Sequence, residues 1–299
     1  MTANNSSPRL RLVKKIALIV GGGIASILVI AVVAIYGISA WELNARHAVI
    51  GLALRVTPAA SMVEEGERLA HVNGCFGCHG DDLAGHLFVD RIFVGRLSGH
   101  NLTRVVPQYT NEQLANVIRS GVKSDGTGNV FMPARAMVRL ADADVAAIIA
   151  YLRTVERRPD AAKDTSLGLL ARALVVIGMI PIEPNIVDHK QLGPLARPTE
   201  ASTLGPYIAK TTCASCHGLD LHGEEQMQSP NLYGIMPAYS LADFKTLMST
   251  GIALGGRKLG LMTEISQAAL KYLSDDEVAA VYAYLSAPEA AIQSEAPSH

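Results

Sequence analysis

The sequence predicts an all-α chain: two tandem copies of one small helical domain behind a single N-terminal transmembrane helix. Three observations lead there. One apolar run near the start is long enough to cross a bilayer. The remainder of the chain repeats itself once. Within each copy the apolar residues fall at helical spacing, and no strand pattern competes.

The apolar run extends from Ile16 to Trp41, 26 residues without a charge. That length suits a tilted transmembrane helix. Arg9, Arg11, Lys14 and Lys15 precede it. By the positive-inside rule residues 1–15 stay in the cytoplasm, 16–41 form the anchor, and everything after Trp41 is exported. Tyr36 and Trp41 suit the outer interfacial belt. A cleaved signal peptide is the competing interpretation, and Ile38-Ser39-Ala40 is a passable cleavage site. The run exceeds the roughly 7–15 residues of a signal core, which favours the anchor. Formal net charge is −1, so no basic field points to nucleic acid. Four of the 26 basic residues and none of the 27 acidic ones precede Trp41. The exported part is therefore mildly acidic, which permits docking on a basic partner.

The repeat rests on three blocks in the same order. Cys75-Phe76-Gly77-Cys78-His79 opens CFGCHGDDLAG, and Cys213-Ala214-Ser215-Cys216-His217 opens CASCHGLDLHG, 138 residues later. Tyr109 and Gly121, like Tyr239 and Gly251, stand 12 positions apart. ADADVAAIIAYLRT then corresponds to SDDEVAAVYAYLSA. The domains are placed at 62–155 and 203–287, with a Pro-rich linker over 156–202 and a tail over 288–299.

Each element has a local reason. Segments around Gly66–His71 and Gly205–Lys210 read as short N-terminal helices. Leu114, Val117 and Ile118, like Phe244, Leu247 and Met248, share one helical face. Thr110 with Gln113 and Ser240 with Asp243 have capping-box spacing, and Gly121 and Gly251 read as C-cap glycines. Ser274-Asp-Asp-Glu277 opens the last helix with a full box. Its counterpart starts at Ala141, where Asp142 is the available cap. In the linker, LGLLARALVVIGMI (167–180) is too short to span a bilayer and is broken by Arg172. It is expected to pack between the domains, with a membrane-surface helix as the alternative.

Cys-x-x-Cys-His is the pattern for covalent attachment of a c-type haem. Two thiols on one turn add across the two vinyl groups, and the adjacent His reaches the iron as fifth ligand. The two motifs use all four cysteines in the chain. A redox dithiol or half a zinc site explains Cys-x-x-Cys, but not a His following it twice. The expectation is two covalently bound haem c groups, held by Cys75, Cys78 and His79 and by Cys213, Cys216 and His217. In bacteria such attachment takes place outside the cytoplasmic membrane, where disulfides are also favoured. The topology agrees: a single-pass protein of the bacterial inner membrane with periplasmic haem domains.

The repeat also supplies a register for the sixth ligand. Met132 and Met262 each stand 11 residues after their C-cap glycine, and no other methionine pair is equivalent. Each is expected on a loop before the last helix, as the axial ligand opposite His79 or His217. Met137 and Met236 compete locally, and His86, His100 and His222 are the rival ligands of another type. The Pro230-Asn231-Leu232 segment is placed to offer a carbonyl to His217 Nδ1, with Gly99-His100-Asn101-Leu102 as its counterpart. Tyr109, Phe131, Tyr151, Tyr233, Tyr239 and Tyr284 are candidates for haem packing or plain core.

Taken together, CxxCHGxDLxG, the Met loop and the SDDEVAAVYAYL-type helix make each half resemble a class I cytochrome c domain. The Phe131-Met132-Pro133 loop followed by LADADVAAIIAYL is similar to the cytochrome c subunits of membrane-bound alcohol and gluconate dehydrogenases. Those subunits typically carry three haems, whereas this chain has motifs for two. The one-helix, two-haem plan also resembles the di-haem subunit of high-affinity haem–copper oxidases. The resemblance implies helices wrapped around a largely buried haem with one edge near the surface. It implies single-electron transfer without bond chemistry, between partners such as a membrane dehydrogenase, a cytochrome bc complex or a terminal oxidase. A di-haem enzyme, such as a peroxidase or a thiosulfate dehydrogenase, is the alternative of another class. The absence of a spare Cys and the matched Met loops argue against it.

Overall fold

The structure is a computed structural model that describes residues 8–48, 59–187, 189, 192–225 and 227–288. Residues 1–7 of the expected cytoplasmic segment and 289–299 of the expected tail lie outside the described residues.

Helix α1 (Pro8–Leu43) is continuous, apolar and long enough to cross a membrane. Leu18, Ile19, Ile27 and Val33 are exposed along it. A helix apolar all round and uncovered by protein has no counterpart in a water-soluble core.

The first copy contains α2 (Ala60–Val72), α3 (Cys75–His79), strands β1 (His86–Arg91) and β2 (Gly95–Gly99), α4 (Asn111–Ser120) and α5 (Asp142–Leu152). The linker carries β3 (Ser166–Leu167) and α6 (Leu169–Val176). The second copy contains α7 (Ala201–Ile208), α8 (Ala214–His217), α9 (Leu241–Thr250), α10 (Leu261–Ala268) and α11 (Asp275–Ser286). Leu69, Leu114, Ile118, Val145, Ile148 and Ile149 form one core. Ile208, Leu232, Phe244, Leu247, Val278 and Val281 form the other.

In each copy the first helix crosses the last at a glycine. A Cβ on Gly66 would lie 1.9 Å from the Ala147 carbonyl oxygen, and one on Gly205 would lie 2.2 Å from that of Ala280. Only a residue without a side chain lets the helices approach so closely. The local signals form as chemistry dictates. Thr110–Gln113, Ser240–Asp243 and Ser274–Glu277 are reciprocal capping boxes, and Gly121 and Gly251 end their helices in the left-handed region at φ 68° and 75°.

Three expectations are corrected. The first concerns strands: β1 and β2 form an antiparallel hairpin from His86↔Gly99 to Arg91↔Gly95, with a register shift between Leu87 and Val89. β3 joins the far edge antiparallel, Gly95↔Leu167 and Arg96↔Ser166. Leu87-Phe88-Val89 is an apolar run with an aromatic and a β-branched residue, which suits a pleat, and Ile92–Val94 form the turn. Gly95, at φ 88°, closes the three-residue turn. Among its described residues the second copy has the short pair Ile252–Ala253 with Arg257–Lys258 and an isolated bridge between Glu224 and Ser229. The architecture remains predominantly helical.

The second correction concerns 167–180, which does not pack between the domains. Helix α6 lies against the outer end of α1. Arg172 Nη1 donates to Ser39 Oγ at 3.0 Å, and its guanidinium sits 4.9 Å from the centre of the Tyr36 ring. The half-buried Arg172 also donates through Nε to the Leu167 carbonyl at 3.1 Å; its other two partners lie on α1, where the hydroxyl and the ring satisfy the rest of the guanidinium.

The third concerns the start of α5. Asp142 does not cap it; its carboxylate accepts from the buried Arg119 at 2.7 Å. The Ala141 amide instead donates to the Tyr207 hydroxyl of the second copy at 2.9 Å, and Tyr207 donates to Asp144. Arg197 of the linker spans Asp144 and Glu65. Across the same contact Arg68 donates bidentately to Glu277, at 2.7 and 2.9 Å. The His71 ring stacks between Phe76, at 3.7 Å, and Tyr272 of the second copy, at 3.9 Å.

Candidate haem-attachment sites

Each motif forms a single helical turn, α3 or α8. Residues three apart lie on one face of such a turn, so Cys75 and Cys78 present their sulfurs together, as do Cys213 and Cys216. The copies enter this turn differently. Gly74, at φ 72°, turns the chain into α3, whereas a π-helical turn over Ala209–Cys213 leads into α8.

Beyond the His the two copies converge in detail. Gly80 and Gly218 have φ of 84° and 83°, and Gly85 and Gly223 have φ of 101° and 100°. Gly85 N–H donates to the His79 carbonyl at 2.8 Å, and Gly223 N–H to the His217 carbonyl at the same distance. Between them Leu83 and Leu221 hold positive φ, 58° and 66°, although both carry side chains. Both are fully buried, and both carbonyls accept an amide, from Leu102 and Leu232. Packing therefore holds a conformation that a leucine alone disfavours.

The imidazoles are fixed by their Nδ1 atoms. His79 Nδ1 lies 2.7 Å from the His100 carbonyl oxygen, and His217 Nδ1 lies 3.0 Å from that of Pro230. A proton on Nδ1 donates to each carbonyl, and Nε2 keeps its lone pair for a metal. Burial, opposed by these backbone hydrogen bonds, lowers the pKa of both rings, so the neutral, ligating form is favoured. Burial pushes the Cys75 and Cys213 thiols up to about 12 and raises Cys78 as well. A redox dithiol needs a lowered thiol pKa, so this environment is the wrong one for it. The four cysteines are unpaired. Among the described residues no group of three or more His, Cys, Asp or Glu side chains is placed to hold a metal ion.

One carbonyl contact had no sequence signal. A Cβ on Gly99 would lie 1.8 Å from the Cys78 carbonyl oxygen. At the equivalent position the Ser229 hydroxyl donates to the Cys216 carbonyl at 2.5 Å. Each residue immediately precedes the one whose carbonyl holds the His, so one loop secures two points of the turn.

The methionines divide by burial. Met137 and Met236 are core residues at 8% and 2% exposure. Met132 and Met262 are only partly buried, at the edges of the two cores. Met132 lies on a loop, where Asn129 Nδ2 approaches its sulfur at 3.9 Å. Met262 departs from expectation: it stands in the first turn of α10 rather than on a loop. The rival histidines are engaged elsewhere. His100 Nδ1 pairs with Asp164 at 3.0 Å, His222 Nδ1 lies 3.0 Å from the Asp220 carbonyl, and His86 packs edge-on against Phe88.

The donor set fits the group that the motif implies. Each copy offers two thiols on one turn, a neutral imidazole with a free Nε2, and an apolar surround with a partly buried thioether at its edge.

Comparison with known proteins agrees. The cytochrome c family profile matches residues 63–156 and 202–287. The fructose dehydrogenase cytochrome subunit of Gluconobacter japonicus is 26% identical over 268 residues, which cover 77% of this chain and 54% of that protein. The chain thus spans about half the length of this curated relative. With the profile matched twice, once around each Cys-x-x-Cys-His turn, the chain belongs to the cytochrome c family and is an electron-transfer haem protein.

Proposed function

We propose that this protein is the membrane-anchored, di-haem electron-transfer partner of a membrane dehydrogenase. The observation that carries the proposal is the paired tethering of His79 and His217 through Nδ1 in two copies of one turn. In this reading the domains are 62–155 and 203–287. Cys75 and Cys78, and Cys213 and Cys216, hold two haem c groups. His79 with Met132, and His217 with Met262, would ligate the two irons.

When bound, each haem supplies one-electron iron chemistry. The chain's residues set its terms. The two thioether bonds of each copy prevent loss of the group. The His100 and Pro230 carbonyls orient the proximal rings and raise their basicity. Met132 and Met262 would each supply a thioether to the iron beside the imidazole, which would leave no place for a substrate and favour a higher potential than a second His. The role is therefore transfer, not catalysis. The anchor α1 keeps the carrier beside other membrane proteins and raises its effective concentration there. Arg9, Arg11, Lys14 and Lys15 put the N-terminus in the cytoplasm and the haem domains in the periplasm of a bacterial inner membrane. The relative, a dehydrogenase subunit, supports a fixed subunit over a free carrier. On the acceptor side a cytochrome bc complex or a terminal oxidase suits the same chemistry.

The test is a mild-detergent pull-down of the anchored protein with haem staining and reduced-minus-oxidised spectra. Two haems per chain, c-type bands and a co-purifying dehydrogenase are expected. Rapid CO binding by the reduced protein would overturn the closed-site reading in favour of a di-haem enzyme such as a peroxidase or a thiosulfate dehydrogenase.

A further inference from the structure

Among the described residues, the four most exposed large apolar side chains outside α1 are Ile92, Met179, Phe93 and Ile177, and they fall in two adjoining segments. Ile92 and Phe93, at the tip of the β1–β2 hairpin, are 89% and 66% exposed. Leu170 and Ile177, and Met179 just beyond, are 48%, 65% and 70% exposed. Leu170 and Ile177 are seven residues apart, two turns, so they share one face of the α6 segment. The two groups are joined: Leu170 N–H donates to the Phe93 carbonyl at 2.8 Å, and Gly168 N–H to that of Val94 at 2.9 Å.

The same segment is fastened to the anchor. Arg172, two residues after Leu170, binds Ser39 and covers Tyr36 on α1. Past the end of α1, His47 N–H donates to the Gly126 carbonyl at 2.9 Å, and Arg46 pairs with Thr127. The first haem domain is therefore held at a defined height on α1. At about 1.5 Å per residue the run 16–41 measures about 39 Å, against about 30 Å of bilayer hydrocarbon. Its last turns, which include Tyr36 and Ser39, consequently lie in the outer interfacial zone. The hairpin tip and α6 sit at that level.

We infer that Ile92, Phe93, Leu170, Ile177 and Met179 form a second membrane contact, a belt buried in the outer headgroup and upper acyl region beside α1. The occupant is the lipid bilayer. Two observations select it: the patch is continuous with the membrane-spanning helix, and exposed Arg91 adjoins the tip, where a guanidinium meets lipid phosphate. Arg172 is spared from acyl chains by its Ser39 and Tyr36 partners. The belt fixes the orientation of the first domain. β2 leads from the tip to Gly99, against the Cys78 carbonyl. Four residue steps of strand span about 14 Å, so the first attachment turn lies within about that distance of the turn's end at Gly95. The inference rests on α1 being the anchor.

The full haem-loaded chain is placed in nanodiscs of phosphatidylethanolamine and phosphatidylglycerol that contain a phospholipid with an acyl-chain diazirine. After illumination the labelled peptides are mapped by mass spectrometry. Label is expected in α1 and in the peptides that contain 91–94 and 170–179. Label confined to α1 overturns the belt and leaves the anchor standing. Absence of label from α1 overturns the anchor itself. The double variant Ile92→Asp, Phe93→Asp is expected to lose label at 91–94 while α1 stays labelled and the haem spectrum is unchanged. Retained label at 91–94 in that variant also overturns the belt. If those peptides are unlabelled by lipid but cross-link between copies in the discs, the face belongs to a second copy instead.

Discussion

The Tyr207 hydroxyl accepts the amide proton of Ala141 at 2.9 Å and thereby caps the last helix of the neighbouring domain. It then donates to Asp144, the third residue of that helix. A capping box normally joins the amide before a helix to a side chain at its third position; here a tyrosine from the other domain stands in the middle. The opposite domain receives a matching contact. Arg68 clamps Glu277, the third residue of α11, while Glu277 also accepts the Ser274 amide. Arg68 stands two residues after the crossing glycine Gly66, as Tyr207 stands two after Gly205. Each domain thus uses one position to hold the same acid of its twin. This is the self-complementary arrangement of a two-fold dimer, built within one chain.

Removing the Tyr207 hydroxyl tests that arrangement. Tyr207→Phe leaves the Ala141 amide and the buried Asp144 carboxyl without their link. A loss of about 1–2 kcal/mol is expected, the scale of a missing N-cap. Denaturant unfolding of the haem-loaded protein measures it. An unchanged midpoint refutes the capping role.

Stability is expected to depend on pH through His71. Burial is the main cause that holds its imidazole below the ordinary 6.5; Glu67 opposes this, Lys271 adds to it and Asp81 opposes it. The neutral ring stacks between Phe76 and Tyr272. Because the folded pKa is depressed, the unfolded chain binds the proton first. The contribution is complete above pH 6.5 and is lost as pH falls from there through the folded value. Unfolding midpoints followed down from neutral pH should decline, and His71→Phe should flatten that decline. A parent midpoint that does not move across this window contradicts the expectation.

Met132→Ala and Met262→Ala each remove one proposed axial ligand. Each variant should lose about half of the Met-to-iron charge-transfer band, lower the potential of one haem and make one reduced haem bind CO. If either variant keeps the full band, a different residue ligates that iron.

The crossing glycines should tolerate no side chain. In Gly66→Ala and Gly205→Ala the new methyl group meets a backbone carbonyl, at 1.9 and 2.2 Å, in the middle of two packed helices. Overpacking of this kind costs about 1–3 kcal/mol. Thermal unfolding and the haem-stained yield from membranes report it. Gly193→Ala, in the linker, whose Cβ meets nothing within 4 Å, serves as the control.

What the sequence by itself determined is whatever a few neighbouring residues decide. Four cysteines, each pair followed by His, specified the attachment turns. Thr110 with Gln113, Ser274 with Glu277, and Gly121 and Gly251 marked helix ends, because caps are hydrogen bonds within one turn. The uncharged run before Trp41 specified a membrane-length helix, because burial in lipid needs only length and composition. The repeat even placed a carbonyl near His217, since Pro230 holds the same register in its copy as His100 in the other. Tertiary structure decided whatever needs a distant partner. The hairpin over 86–99 is completed by Ser166 and Leu167, some seventy residues on, so no local pattern announced its third strand. Met262 entered a helix, unlike Met132, because Thr263 bonds Leu259 and Gly251 and winds the chain there. Asp142 was drawn from its capping role by Arg119, and Tyr207 took that role from another domain. Arg172, which reads in sequence as an interruption, became the bond between linker and α1, because a half-buried charge settles where partners exist.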